Sequence, residues 1–180
     1  MTTDHLFVIT GGPGSGKSSL IAGLAGCGVA TMPEAGRAII RDEVTAGGDA
    51  LPWKDRQAFA AQMLDRELRS YREAAGLAGP VVLDRGIPDV IGYLRLCELP
   101  VPVAAERAAA AFRYNRIVFV APHWPAIYAQ DAERKQDEAE AAATHDMMAR
   151  VYAELGYDLV PLPLATVAER VRFVTERIGF

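Results

Sequence analysis

Apolar residues fall along this chain in two rhythms. Five short runs, at 6–10 (LFVIT), 28–32 (GVATM), 80–84 (PVVLD), 116–120 (RIVFV) and 157–162 (YDLVPL), are bounded by Gly, Pro or Asp and read as buried strands. Between them, the segments 18–26, 34–46, 53–75, 88–97, 101–114, 137–155 and 166–178 repeat their apolar positions at the 3.6-residue spacing of a helix with one buried face. The Ala-rich tract at 104–112 belongs with the helices, because Ala is the best helix former. Strands buried on both faces and separated by helices imply a parallel sheet with right-handed crossovers. With no internal repeat and no linker, the pattern predicts one α/β domain over residues 1–180.

Composition narrows the partners. A formal net charge of −4 and the lack of any basic block leave little for the counterion release that drives proteins onto duplex DNA, so no nucleic acid is expected. Cys27 and Cys97 have no metal-binding spacing around them, which fits a reduced compartment. His5, His123 and His145 are scattered in the same way, so no metal is indicated beyond one that a bound nucleotide would bring. The first residues carry no basic leader, and LFVIT is too short for a membrane span, which makes the cytoplasm the default location.

The chemistry is concentrated at the end of the first run. In GGPGSGKSS, Gly11, Gly16, Lys17 and Ser18 fit GxxxxGK[ST], directly after a predicted strand and at the start of a predicted helix. Backbone N–H groups of such a loop wrap a β-phosphate, and the positive end of the following helix favours the same anion. Gly12, Gly14, Ser15, Gly16, Lys17, Ser18 and Ser19 are therefore candidate contacts to ATP or GTP, with Lys17 on the β- and γ-phosphates and Ser18 on Mg²⁺. A second carboxylate is needed on the far side of the metal, and Asp84, at the end of VVLD, supplies the expected pattern. Glu34 follows the second predicted strand and Arg85 the third. In an open α/β sheet the carboxyl ends of strands face the ligand crevice, so these groups should converge there.

The segments GGPGSGKSS, PEAGR, LDRGIPDVIGY and LGYDLVPLPLATVAERVRFV together resemble the P-loop ATPase/kinase family that includes the ribosylnicotinamide kinase domain of NadR. That family also includes a eukaryotic GTP- and phosphoinositide-binding trafficking protein. More distantly the pattern is similar to deoxynucleoside and thymidylate kinases. The resemblance implies a five-stranded parallel sheet in the order 2-3-1-4-5 and a lid at about 122–137, in which Arg134 would cover the transferring phosphoryl group. It implies that Glu34 takes the proton from an attacking hydroxyl and that Arg85 binds phosphate or orients Glu34. Gln62, on the helix at 53–75 with Trp53 and Phe59, matches a base-reading position, and Asp89 and Tyr93 share a helical face near the crevice. Each has a plainer reading as well. Glu34 with Arg37, and Arg85 with Asp89, would form surface ion pairs at helical spacing, and the aromatic residues would belong to the core.

Two functions follow from this reading. One is a small-molecule kinase moving the ATP γ-phosphoryl to a hydroxyl of a nucleoside-like acceptor; the other is a nucleotide-dependent regulatory protein or slow NTPase without such an acceptor. A GTPase switch is disfavoured because no [NT]KxD motif occurs and Asn115 lacks the Lys and Asp that would follow it. An AAA+ machine is disfavoured because its additional helical domain finds no room in 180 residues.

Overall fold

Alternation along the first strand decides how the layers are built. In the computed structural model, which describes residues 3–124 and 138–180, β1 (Leu6–Gly11) is buried along its whole length. Successive side chains of a strand point to opposite faces. Leu6 and Val8 accordingly join Val81, Leu83, Val118, Tyr71 and Tyr152 in one core layer. Phe7 and Ile9 join Val82, Phe119, Leu20, Leu24, Val174 and Ile178 in the other.

β1 sits at the centre of a parallel sheet with β2 (Ala30–Met32), β3 (Val81–Asp84), β4 (Ile117–Ala121) and β5 (Asp158–Pro161), in the order β2-β3-β1-β4-β5. Helix α1 (Lys17–Gly26) and helix α7 (Val167–Ile178) cover the second face, where Leu20, Leu24, Val174 and Ile178 meet the strands. The first face is covered by α3 (Arg56–Ala75) and α6 (Glu138–Glu154), through Tyr71 and Tyr152. A further cluster of Ile39, Phe59, Ala60, Met63, Val90 and Leu94 ties α2 (Ala35–Ala46) and α3 to α4 (Ile87–Leu96). α5 (Val103–Ala111) packs Ala105, Ala108 and Ala109 against Ile87 and Ile91 of α4. Order and type agree with the sequence expectation.

Three elements depart from their expected bounds by two residues or more, two of them for a visible local reason. β2 begins at Ala30 rather than 28, because Gly28 at φ 92° and the bonds Gly28 N to Ala25 O (3.0 Å) and Val29 N to Leu24 O (3.1 Å) first close the end of α1. α3 begins at Arg56 rather than 53, because the Asp55 carboxylate accepts from Gln57 N (3.1 Å) and Ala58 N (2.9 Å) and caps the helix there. Trp53 is left ahead of the helix and 62% exposed. The helix expected over 101–114 is confined to Val103–Ala111. The expected lid at 122–137 lies, from residue 125 on, outside the described residues, and so does Arg134.

Parallel pairing fixes what meets at the carboxyl edge. Ile9 is level with Asp84, Gly11 with Ala121 and Met32 with Leu83, so the loops after β1, β2 and β3 leave the sheet side by side. Among the described residues no helix is long and apolar enough to cross a membrane.

Candidate active site

The loop between β1 and α1 combines tight packing with a turn that only certain residues tolerate. Gly16 takes φ 77° at the entry to α1, a left-handed conformation that suits Gly, and no side chain caps the N–H groups of the helix behind it. Gly12 answers to a different need, since a Cβ there would lie 2.3 Å from the Ala141 carbonyl oxygen of α6. Of the glycines expected to wrap a phosphate, this one is required by helix packing. The bare helix N-terminus is what a phosphate would use.

Lys17 is buried and folded back on its own loop, its Nζ donating to Gly12 O (2.6 Å), Gly11 O (3.1 Å) and Ser15 Oγ (3.3 Å). Burial, and then the Arg85 charge, bring its pKa down to about 7 against the pull of Asp84, Glu34 and Asp89. Ser18 and Ser19 stand exposed on the first turn of α1.

Asp84 ends β3 nearly buried, and its Oδ1 has no hydrogen-bond partner among the described residues. Burial first, and then the neighbouring Glu34 carboxylate, raise its pKa, with Lys17 and Arg85 opposing. An orphaned acceptor in this position fits a divalent cation, and the exposed Ser18 hydroxyl fits the same ion. Ser18 and Asp84 are thus the residues that could hold magnesium.

Next to Asp84, Arg85 takes φ 76°, rare for a side chain of its size. Its backbone N–H prolongs the ladder to Ile9 O (3.0 Å), and its guanidinium spans two carboxylates, with Nε 3.2 Å from Glu34 Oε1 and Nη1 3.0 Å from Asp89 Oδ1. Strained backbone persists where its surroundings over-determine it, and here they do. The Glu34 Oε2 is taken by Arg37 Nε at 3.2 Å. Burial alone would raise the Glu34 carboxyl, but Arg85 first, then Lys17 and Arg37, more than offset it and hold it below the ordinary carboxylate range. Both ion pairs of the plainer reading therefore exist, and they sit at the crevice beside Lys17.

The remaining expectations divide. Asp89 is turned inward: it is 1% exposed, and its Oδ1 accepts from Thr10 Oγ1 (2.6 Å) and Arg85 Nη1, its Oδ2 from Tyr152 Oη (2.7 Å) and Gly86 N (3.0 Å). Four donors fill its acceptor capacity, so its place is behind Arg85. Gln62 is drawn elsewhere, its Nε2 donating to Glu43 Oε1 at 2.8 Å, which lies about 13 Å beyond Glu34 along α2 at 1.5 Å per residue. Phe59 is core, edge-on to Tyr93 with ring centroids 5.4 Å apart. The Tyr93 hydroxyl is buried, and burial first, then the neighbouring Cys97, push its pKa up.

Two groups escape a reading of motifs. Glu67, at 3% exposure in the middle of α3, has its pKa pushed well up by burial and then by Asp89, with Asp84 and Glu34 adding to the effect and Arg85 opposing. Its surroundings favour the protonated form of the carboxyl. Arg170 of α7 is buried behind the P-loop and donates through Nη1 to Ser15 O at 3.0 Å. Helical spacing could have marked Glu67, since its neighbours on the same face, Met63 and Tyr71, are core residues; nothing local marks Arg170.

A family model described as AAA domain matches residues 6–170. Curated protein sequences yield no match. The chain resembles NadR solved in complex with NR, with a TM-score of 0.68 and 22% identity over 99% of this chain and 52% of that one. It also resembles a deoxyadenosine kinase from M. mycoides (TM-score 0.67, 13% identity, 97% of this chain and 98% of the other). A thymidylate kinase from Ehrlichia chaffeensis is similar as well (TM-score 0.61, 14% identity, 99% and 100%). The chain spans about half the length of the NadR chains it matches.

Proposed function

We propose that this chain, which belongs to the AAA domain family of P-loop proteins and whose sheet has the order and connections of the P-loop kinase fold, is a small-molecule kinase that moves the γ-phosphoryl group of ATP or GTP to a hydroxyl of a nucleoside-like acceptor. The observation that carries this reading is the Glu34–Arg85 pair, held at the carboxyl ends of β2 and β3 and directed at the same crevice as Lys17 and Asp84. A generic phosphate-binding loop needs neither residue. The likeness to deoxyadenosine and thymidylate kinases supports the acceptor class.

In this reading the N–H groups of the loop and Lys17 bind the phosphates, and Glu34 accepts a hydrogen bond from the acceptor hydroxyl, aligns it and takes its proton as the hydroxyl oxygen bonds to the γ-phosphorus and the nucleoside diphosphate leaves. Arg85, fixed from behind by Asp89, keeps the Glu34 carboxylate oriented and adds positive charge where negative charge spreads in transfer. Magnesium held by Ser18 and Asp84 would supply charge neutralisation at the phosphate oxygens. Glu34 is a weak base by virtue of its cationic neighbours, which phosphoryl transfer tolerates, because the transition state is loose and the proton leaves late, but a group able to take that proton is still needed. The same observation favours a second reading. With both carboxylate oxygens in ion pairs, a slow NTPase or regulatory protein without an acceptor is the alternative.

The test is a thermal-shift screen of nucleosides and other hydroxyl compounds with Mg-ATP, followed by turnover of the best hit by wild type and Glu34→Gln. The kinase reading expects unchanged ATP affinity and a loss of transfer of about 10²-fold or more in the variant. Equal turnover removes Glu34 from the chemistry, and a screen without any phosphorylated product leaves the second reading standing.

A further inference from the structure

The P-loop has a second cation behind it. Arg170, one turn into α7, is 2% exposed and uses one nitrogen, Nη1, on the Ser15 carbonyl at 3.0 Å. Its Nε and Nη2 are buried with no hydrogen-bond partner among the described residues. Its charge meets the Trp124 ring, with Cζ 5.9 Å from the centroid, and among the described residues no carboxylate pairs with it. Arg85 shows the ordinary arrangement, a guanidinium between two carboxylates. A buried guanidinium with two idle nitrogens, which carry three N–H donors, and with no counter-ion among the described residues is costly, and charges in that position are as a rule paired.

The Ser15 contact shows what such a charge can do. In a trans peptide the N–H points away from the C=O, so holding the Ser15 carbonyl on the Arg170 side turns the Gly16 N–H to the opposite side. That is the side which the nucleotide reading gives to the phosphates. A cation on the carbonyl also polarises the peptide and strengthens its N–H as a donor.

We propose that Arg170 is a positioning residue for the polyphosphate: it fixes the Ser15–Gly16 peptide of the P-loop, and its uncompensated charge is offset when a polyphosphate anion occupies the loop. The inference rests on the nucleotide-site reading and deepens it. Burial as the sole influence on its pKa, which it lowers, agrees with a charge awaiting an anion.

The experiment compares wild type, Arg170→Lys, Arg170→Gln and Arg170→Met for binding of Mg-ADP and of Mg-tripolyphosphate by calorimetry, with the ligand-free thermal midpoint of each. Two neutral variants are used because an apolar chain often replaces a buried ion without loss of stability. The expected result is a ligand-free midpoint equal to or above that of wild type in at least one neutral variant. In that variant both ligands should bind at least about fivefold more weakly, while Arg170→Lys stays within about twofold of wild type. Unchanged affinity in a folded neutral variant overturns the proposal. So does an equal loss in Arg170→Lys, which would make shape rather than charge the cause. A loss for Mg-ADP alone overturns it in favour of a contact to the nucleoside, and failure of both neutral variants to fold would show that the charge serves the empty fold. If wild type binds neither ligand, the nucleotide reading itself falls, and this inference with it.

Discussion

The two halves of the crevice are built on opposite plans. On the β1–α1 side the groups that would meet a phosphate are peptide N–H groups and one lysine from a single contiguous stretch, and Lys17 has only its own loop for hydrogen-bond partners. On the β2–β3 side four carboxyls, Glu34, Glu67, Asp84 and Asp89, from as many segments of chain, are gathered around one arginine. The first half is local and its charge is loosely held. The second is assembled by the fold, and its charges hold one another. A change on the β2–β3 side should therefore be felt first as stability, and a change on the β1–α1 side first as binding.

The largest expected effect tests that division at Asp89. Each of its oxygens receives two donors, so Asp89→Asn must turn an amide NH₂ toward two of them whichever way it is placed. The Thr10 and Tyr152 hydroxyls can rotate to accept, but Arg85 Nη1 and Gly86 N cannot. Denaturant unfolding should show a loss near the lower end of the range for a broken buried pair, about 3 kcal/mol. Unchanged stability would mean that the cluster is soft and the contrast between the halves false.

Lys17 should behave in the reverse way. Lys17→Ala removes the lone lysine of the loop, and nucleotide affinity should fall tenfold or more, roughly 1.4 kcal/mol. Because the pKa of the buried ammonium is about 7 in the empty protein, and a polyphosphate favours the charged form, binding above pH 7 has to take up a proton. Mg-ADP affinity of wild type should thus weaken as pH rises above 7, by up to about tenfold per unit, while Lys17→Ala shows no such slope. A wild-type profile flat from pH 7 to 9 would place the Lys17 pKa elsewhere.

This contrast also explains what could be read from the sequence. Strand and helix order followed from apolar periodicity, and the P-loop from spacing, because both are written in neighbouring residues. Glu34 and Arg85 could be placed because parallel strands deliver their carboxyl ends to one edge. The setting of Asp89 was hidden for the opposite reason: helical spacing put it on the crevice face, but three of its four donors, from Thr10, Tyr152 and the Gly86 backbone, belong to the tertiary structure and the turn before α4. The contact of Gln62 was hidden because its partner Glu43 is 19 positions away. Arg170, whose partner Ser15 is 155 positions away, leaves no trace in any local pattern.

At pH 5 the smallest effect belongs to Glu67, and its sign follows from linkage. Burial and the surrounding carboxylates raise its pKa in the folded chain, so it stays neutral there at pH values where the unfolded chain has already lost the proton. Its contribution to stability is fully present below the unfolded pKa of about 4.3 and is lost as pH rises toward the folded value, at up to about 1.4 kcal/mol per pH unit. Glu67→Gln keeps the shape of the neutral acid and cannot ionise. Relative to wild type, the variant should gain about 1 kcal/mol at pH 5 and more as pH is raised, and the two stabilities should meet near pH 4. Unfolding curves at pH 4, 5 and 6 measure this. A difference that does not change with pH would mean that Glu67 is ionised in the folded protein as well. The carboxyls around Arg85 would then carry one more negative charge than the proposed arrangement allows.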